Sequence, residues 1–273
     1  MKLAFSTLGC PDWTFDEVLD RAQAMGYQAI ELRGVEGKMR ADEMVPFLPE
    51  NRGETMAKVR AHGLTICSFG SSASFHDDEK TASALSDGYA AVDLCEAIGI
   101  PYVRVFGNLI DRNADTAEGE VRKVAEGIRK LCDYAEGRKV KILLEVHGDF
   151  NTAARIMKAV ELVDRENFGI LWDVEHSDEA DGGDFLSFYL PVRPLIHHVH
   201  IKDHRRLGGG KFELCPTGEG DIPLKEIVAQ MEKDGYEGYY SLEWEKKWHP
   251  ELRDPEEEFP AYAAWMRGLF KGK

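Results

Sequence analysis

Short apolar runs rich in β-branched and aromatic residues alternate along the whole chain with longer stretches whose apolar positions recur every three or four residues. Eight of the short runs read as strands: LAFST (3–7), QAIELR (28–33), LTICSF (64–69), YVRVFG (102–107), KILLEV (141–146), FGILWDV (168–174), LIHHVHI (195–201) and YYSLEW (239–244). Between them the helical period predicts helices over 15–26, 54–63, 82–99, 118–137, 152–163 and 224–235, a short one around 185–190, and a terminal one over 256–270. Several of these stretches close on a glycine, the usual helix stop. Pro260 is expected to kink the last helix or delay its start.

Strands that alternate with helices build a parallel sheet. Eight strand–helix units in about 250 residues is what a closed (β/α)8 TIM barrel requires. An open doubly wound sheet would place a glycine-rich phosphate loop after its first strand, and STLGCPDW has none. The expected fold is therefore α/β, one TIM-barrel domain over 1–273, with no linker or low-complexity tract to mark a second domain. The longest irregular stretch, HRRLGGGKFELCPTGEGDIP (204–223), reads as a functional or mobile loop. Asp221 is expected to cap the helix that follows it, with Pro223 in the first turn.

Composition narrows the function. With 34 basic against 49 acidic residues the net charge is -15 over 273 residues, which disfavours nucleic acid or an anionic membrane as the main partner. Five widely spaced cysteines without a CxxC pair suggest neither a disulfide framework nor a zinc ribbon, so a reducing cytoplasm is expected. The first residues run straight into a strand with too short an apolar stretch for a signal peptide, and no segment is long enough to span a bilayer.

Four consecutive strands in the second half carry a metal-ligand residue at or near their C-terminal ends: Glu145 in KILLEVH, Asp173 in GILWDVEH, His200 in IHHVHIKD and Glu243 in YYSLEWE. One polar residue at a strand end is ordinary. Four in succession bring three hard oxygen donors and an imidazole to the end of a barrel where active sites form, which suits one divalent cation such as Mn²⁺, Mg²⁺ or Co²⁺. Residues two apart on a strand share a face, so His198, His200 and Lys202 point inward together, as do Leu143, Glu145 and His147, and Ser241, Glu243 and Glu245. Trp13, Trp172 and Trp244 either wall the pocket or pack barrel against helices.

The arrangement resembles the sugar isomerase and epimerase superfamily of xylose-isomerase-like barrels. The likeness rests on Glu145 in LLEVH, Asp173 with His176 in WDVEH, the HVHIKD run at 198–203 with Arg206 six residues after His200, and Glu243 in SLEWE. It implies a metal held by Glu145, Asp173, His200 and Glu243, with His176 and Arg206 touching substrate. Mn²⁺ is the first expectation and Mg²⁺, Co²⁺ or Zn²⁺ the alternatives. It also implies a small sugar, polyol or sugar-phosphate substrate and a homo-oligomer. Ketose 3-epimerases of the group carry a further glutamate six residues after the first metal glutamate, where this chain has Asn151. Endonuclease IV is similar too, but the extra histidines of its three-metal cluster have no clear match here, which argues against DNA repair.

A ketose or polyol held through its carbonyl and adjacent hydroxyl would develop negative charge beside the metal as an enediolate forms. Glu145 and Glu243 are expected to remove and return the proton in turn. Return to the opposite face gives an epimer, return to the adjacent carbon an isomer, and loss of a β-hydroxyl a dehydrated product. Isomerase or epimerase is the first reading and an inosose-type dehydratase the second. Lys202 and Arg206 are expected to bind a phosphate or polarised hydroxyl. A barrel that binds metal and ligand without turnover is the alternative outside enzymology, and two well-placed bases argue against it.

Overall fold

The structure, a computed structural model, describes residues 1–110 and 117–269. Eight strands pair in parallel and close on themselves: β1 (Lys2–Ser6), β2 (Ala29–Leu32), β3 (Thr65–Ser74), β4 (Tyr102–Phe106), β5 (Lys141–Glu145), β6 (Phe168–Asp173), β7 (Ile196–Ile201) and β10 (Tyr239–Leu242). Helices α1 (Phe15–Ala24), α2 (Arg52–Ala61), α3 (Thr81–Ile98), α4 (Ala117–Tyr134), α5 (Ala153–Val163), α7 (Phe185–Val192), α8 (Leu224–Lys233) and α9 (Pro255–Gly268) separate them. The fold is a (β/α)8 barrel, and each of the eight expected strands is in it.

Burial on both faces explains why the strands read as nearly unbroken apolar runs. Residues of the outward phase, such as Phe5, Ile30, Val103, Ile142, Ile170 and Val199, join the large apolar cluster between sheet and helices. The inward phase is different. It starts apolar at the base, where Ala4, Ala29 and Cys67 form a small separate cluster. Two residues further along each strand it turns polar, with Glu31, Arg104, Glu145, Asp173, His200 and Ser241 all fully buried. A buried ring of that polarity needs mutual pairing or a ligand.

Three expectations change. The stretch 204–223 is not irregular: β8 (Asp203–Gly208) and β9 (Lys211–Cys215) form an antiparallel hairpin around Gly208–Gly210, whose positive φ angles make the turn. Its base is fastened by the Asp203 carboxylate, which accepts from the backbone N–H groups of His204, Gly218, Gly220 and Ile222. A Cβ on Gly220 would sit 2.1 Å from Asp203 Oδ1, so the close approach demands glycine there. Asp221 caps no helix; it accepts from the Arg206 N–H at 2.7 Å, and Pro223 stands before α8 without a side-chain cap. Pro260 does not delay α9, which starts at Pro255 and carries Pro260 inside it. The expected end of that helix at Phe270 lies outside the described residues.

A further helix, α6 (Val174–Asp181), follows β6 with no intervening loop. The VEHSDEAD sequence is too short and polar to show a helical apolar period. Among the described residues no helix is long and apolar enough to cross a membrane.

Candidate metal centre

Glu145, Asp173, His200 and Glu243 leave β5, β6, β7 and the end of β10 on the same side of the barrel, and one ligand atom from each lies within 4.8 Å of the others. Three are fully buried and Glu243 is nearly so. Asp173 uses Oδ1 to cap α6, accepting from the Glu175 N–H at 2.9 Å, which leaves Oδ2 directed at the cluster. Asp173 Oδ2 and Glu145 Oε2 are buried oxygens that make no hydrogen bond among the described residues. They face charge instead: Lys202 Nζ is 2.9 Å from Asp173 Oδ2, and Arg104 Nε is 3.0 Å from Glu145 Oε2. Three carboxylates and an imidazole with unused lone pairs fit a hard divalent cation.

The histidine ligand is oriented from behind. His200 approaches Glu31 through Nε2 at 2.9 Å, and its Nδ1 stands 2.9 Å from Glu145 Oε1 and 3.3 Å from Glu243 Oε2. Burial opposes a charge on this ring, but Glu243, Glu31 and Glu145 outweigh it and hold the imidazolium well above its ordinary range. A cation held at Nδ1 would take the place of that proton while Nε2–H remained on Glu31, so Glu31 would favour the tautomer that presents Nδ1. Glu31 also accepts from Ser241 at 3.0 Å and contacts His198 Nε2 at 2.6 Å. Glu31→Gln is expected to weaken Mn²⁺ binding about 10–100-fold. Calorimetric titration of the metal measures this, and an unchanged Kd would remove Glu31 from the role.

Lys202 enters the cluster itself. Its ammonium, 1% exposed, is 2.7 Å from Glu243 Oε2 and 2.6 Å from Glu245 Oε1 as well as touching Asp173. Burial pushes the Asp173 carboxyl up to about 7, with Lys202 pulling the other way. For Glu145 burial is outweighed by Arg104 and His200, and it falls to about 2. The two carboxylates differ because Glu145 has a guanidinium dedicated to it, whereas Lys202 is shared among three.

His176 stands at the edge of the cluster on α6, its ring edge-on to His147 at 4.2 Å between centroids. Burial disfavours its charge, but Asp173 and Glu179 prevail and lift it to about 9. Partial burial, with the charge of His176 adding to it, drives the neighbouring His147 down to about 3. Arg206 is brought elsewhere: its guanidinium is engaged by Asp178 of α6 and the Asp221 carbonyl. The three tryptophans pack barrel against helices, Trp172 on Phe188 and Tyr189, Trp13 on Phe259, and Trp244 donating to the Arg253 carbonyl.

His204 ties the hairpin to α6 by contacts to Glu175 at 2.8 Å and Asp178 at 2.9 Å. Burial works against the charged ring, yet its hydrogen bonds to the Asp178 and Glu175 carboxylates raise it to about 9. A folded pKa above the unfolded value contributes stability that is complete below about 6.5 and lost as pH rises through about 9. The thermal midpoint is expected to fall between pH 7 and 9.5, and His204→Gln should flatten that slope. An equal slope in the variant would show that another group is responsible.

Glu31 and Arg104 were not singled out in the sequence, although each is a lone charge in a strand of apolar neighbours, AIEL and YVRVF. In a parallel strand covered by helices, such a charge has only the barrel interior to point to.

A family model described as xylose isomerase-like TIM barrel matches residues 19–269. Inosose dehydratase of Serratia proteamaculans (strain 568) is 23% identical over 302 residues, covering 99% of this chain and 97% of that one. Among solved structures, the probable 3-DHS dehydratase AsbF of Bacillus anthracis superposes with a TM-score of 0.79 at 20% identity, covering 98% of this chain and 99% of that chain. The IOLI protein, solved with a bound zinc atom, gives a TM-score of 0.79 at 21% identity and covers 99% of both chains.

Proposed function

Because this chain belongs to the xylose isomerase-like TIM-barrel family, we propose that it is a divalent-metal-dependent enzyme that removes a proton beside the carbonyl of a polyhydroxy ketone. The observation that carries the reading is the convergence of Glu145 and Glu243, from opposite sides, on His200 Nδ1 at 2.9 and 3.3 Å. Glu145, Asp173, His200 and Glu243 would hold the metal, which supplies charge stabilisation for the oxygen of the carbonyl. Two carboxylates flanking a bound carbon could then take the proton on one face and return it on the other, which is epimerisation, or return it to the adjacent carbon, which is isomerisation.

A second outcome of the same first step is dehydration. Lys202, with its ammonium 2.7 Å from Glu243 Oε2, would be the proton donor to a departing β-hydroxyl. Asn151 in place of the epimerase glutamate and the full-length likeness to an inosose dehydratase point the same way. His176 and Lys202 would be the substrate contacts nearest the cluster. Arg206 would join them if substrate drew it from Asp178.

The test is deuterium wash-in from D₂O into a panel of ketoses, inososes and ketose phosphates, with and without Mn²⁺, Mg²⁺, Co²⁺ or Zn²⁺. Metal-dependent exchange at the carbon next to the carbonyl is expected for at least one compound, and product analysis separates epimer, isomer and dehydrated ketone. No exchange with any compound under any metal overturns the reading.

A further inference from the structure

Arg33 follows β2 and is 7% exposed, yet among the described residues it forms no ion pair. Its one side-chain hydrogen bond is from Nη1 to Ser72 Oγ at 3.1 Å. Its Nε and Nη2 are not sealed from solvent, so the donors that Ser72 leaves unanswered can take an incoming acceptor. A second guanidinium lies beside it. Arg104, fully buried on β4, donates from Nη1 to the Ser71 carbonyl and lies over the Phe106 ring at 3.9 Å. Both reach across β3 at Gly70, where an added Cβ would stand 2.7 Å from Arg104 Nη2 and 2.8 Å from Arg33 Cδ. Only the missing side chain of Gly70 lets the two cations share that space. Burial and the charge of Arg104 depress Arg33 to about 10, with the charges of Glu243 and Glu145 counteracting.

The topology gives the pair a meaning. The metal-ligand strands β5, β6, β7 and β10 occupy one half of the barrel, and β2, β3 and β4 the other. We propose that Arg33 and Arg104 form the seat for an anionic oxyacid group, carboxylate or phosphate, on the polyhydroxy ketone whose carbonyl end lies at the metal. The substrate would span the mouth, with reacting carbons over Glu145 and Glu243 and the anion over Gly70. Arg33 supplies the planar fork that such a group binds in two-point fashion. Arg104 touches both regions, since its Nε contacts Glu145. This rests on the proton-transfer reading for the substrate's other end, but the anion seat can be tested by itself.

Inorganic phosphate and, separately, formate are titrated into the metal-free protein, so that no cation can account for binding. At least one is expected to bind saturably, with Arg33→Met weakening it tenfold or more and Arg33→Lys recovering part of the loss. Arg33→Met should melt no lower than the parent, because it removes an unpaired buried charge; a merely structural arginine would lower the melting temperature. In the Mn²⁺-loaded enzyme, matched neutral and anionic ketones, an inosose against a polyhydroxycyclohexanone carboxylate and a ketose against its phosphate, identify which anion is used. The anionic member should exchange deuterium with at least tenfold higher kcat/KM, and Arg33→Met should raise its KM at least tenfold. Binding of neither anion, or binding indifferent to Arg33, overturns the seat. Exchange confined to the neutral ketones overturns it while leaving the proposed function intact. Anion binding without any exchange does the reverse.

Discussion

Glu145→Gln and Glu243→Gln are each expected to slow deuterium exchange by about 10²–10⁴-fold, the contribution of a positioned general acid or base. The two should not be equivalent. Glu243→Gln leaves Lys202 with Asp173 and Glu245, so its cation keeps carboxylate partners. Glu145→Gln leaves Arg104 fully buried with no carboxylate in ion-pair contact among the described residues. Glu145→Gln should therefore also lower the melting temperature, whereas Glu243→Gln should affect stability less. Proton NMR in D₂O reads the exchange, and metal content measured on the same samples separates loss of a base from loss of a ligand. Exchange at the parent rate in Glu145→Gln with metal bound would eliminate Glu145 as the base.

Lys202→Met should destabilise the metal-free protein by about 3–5 kcal/mol, because deleting one partner of a buried ion cluster strands the others. Here the stranded groups are Asp173, Glu243 and Glu245, contacted at 2.9, 2.7 and 2.6 Å. For a chain of this size that corresponds to a melting shift on the order of 10 °C. Saturating Mn²⁺ should recover much of the difference, since a ligand that binds only the folded state stabilises it and here also replaces the missing positive charge. Scanning calorimetry of both proteins with and without metal decides the point. A deficit that metal does not reduce would mean that Lys202 supports the fold separately from the centre.

How much was readable from the chain follows from where each residue sits. The quartet Glu145, Asp173, His200 and Glu243, which the structure brings together, was legible because each member stands at or near the end of an apolar run and barrel sites form at strand ends. Its neighbours were harder to find. Glu31 and Arg104 lie within short apolar runs, where a single charge resembles an outward polar residue until the strand is known to be covered by helices. Arg33 looks like a residue leaving a strand for solvent, and only the closing of the barrel brings it to Arg104 over Gly70. The substrate contact expected of Arg206 came from the family resemblance, and in the structure the hairpin sets that side chain against Asp178.

The alternation of apolar periods by itself determined the eight strands, their order in the chain and the phase that faces inward, because those depend on local geometry and burial. The donor set of the candidate centre was likewise legible, since three carboxylates and an imidazole could hold a metal ion wherever they meet. Tertiary structure alone decided the pairings: Glu31 behind His200, Arg104 on Glu145, Lys202 among three carboxylates, and the hairpin on α6 through His204. Those contacts join residues tens to hundreds of positions apart. Their energies depend on distance and burial, quantities a linear pattern does not contain.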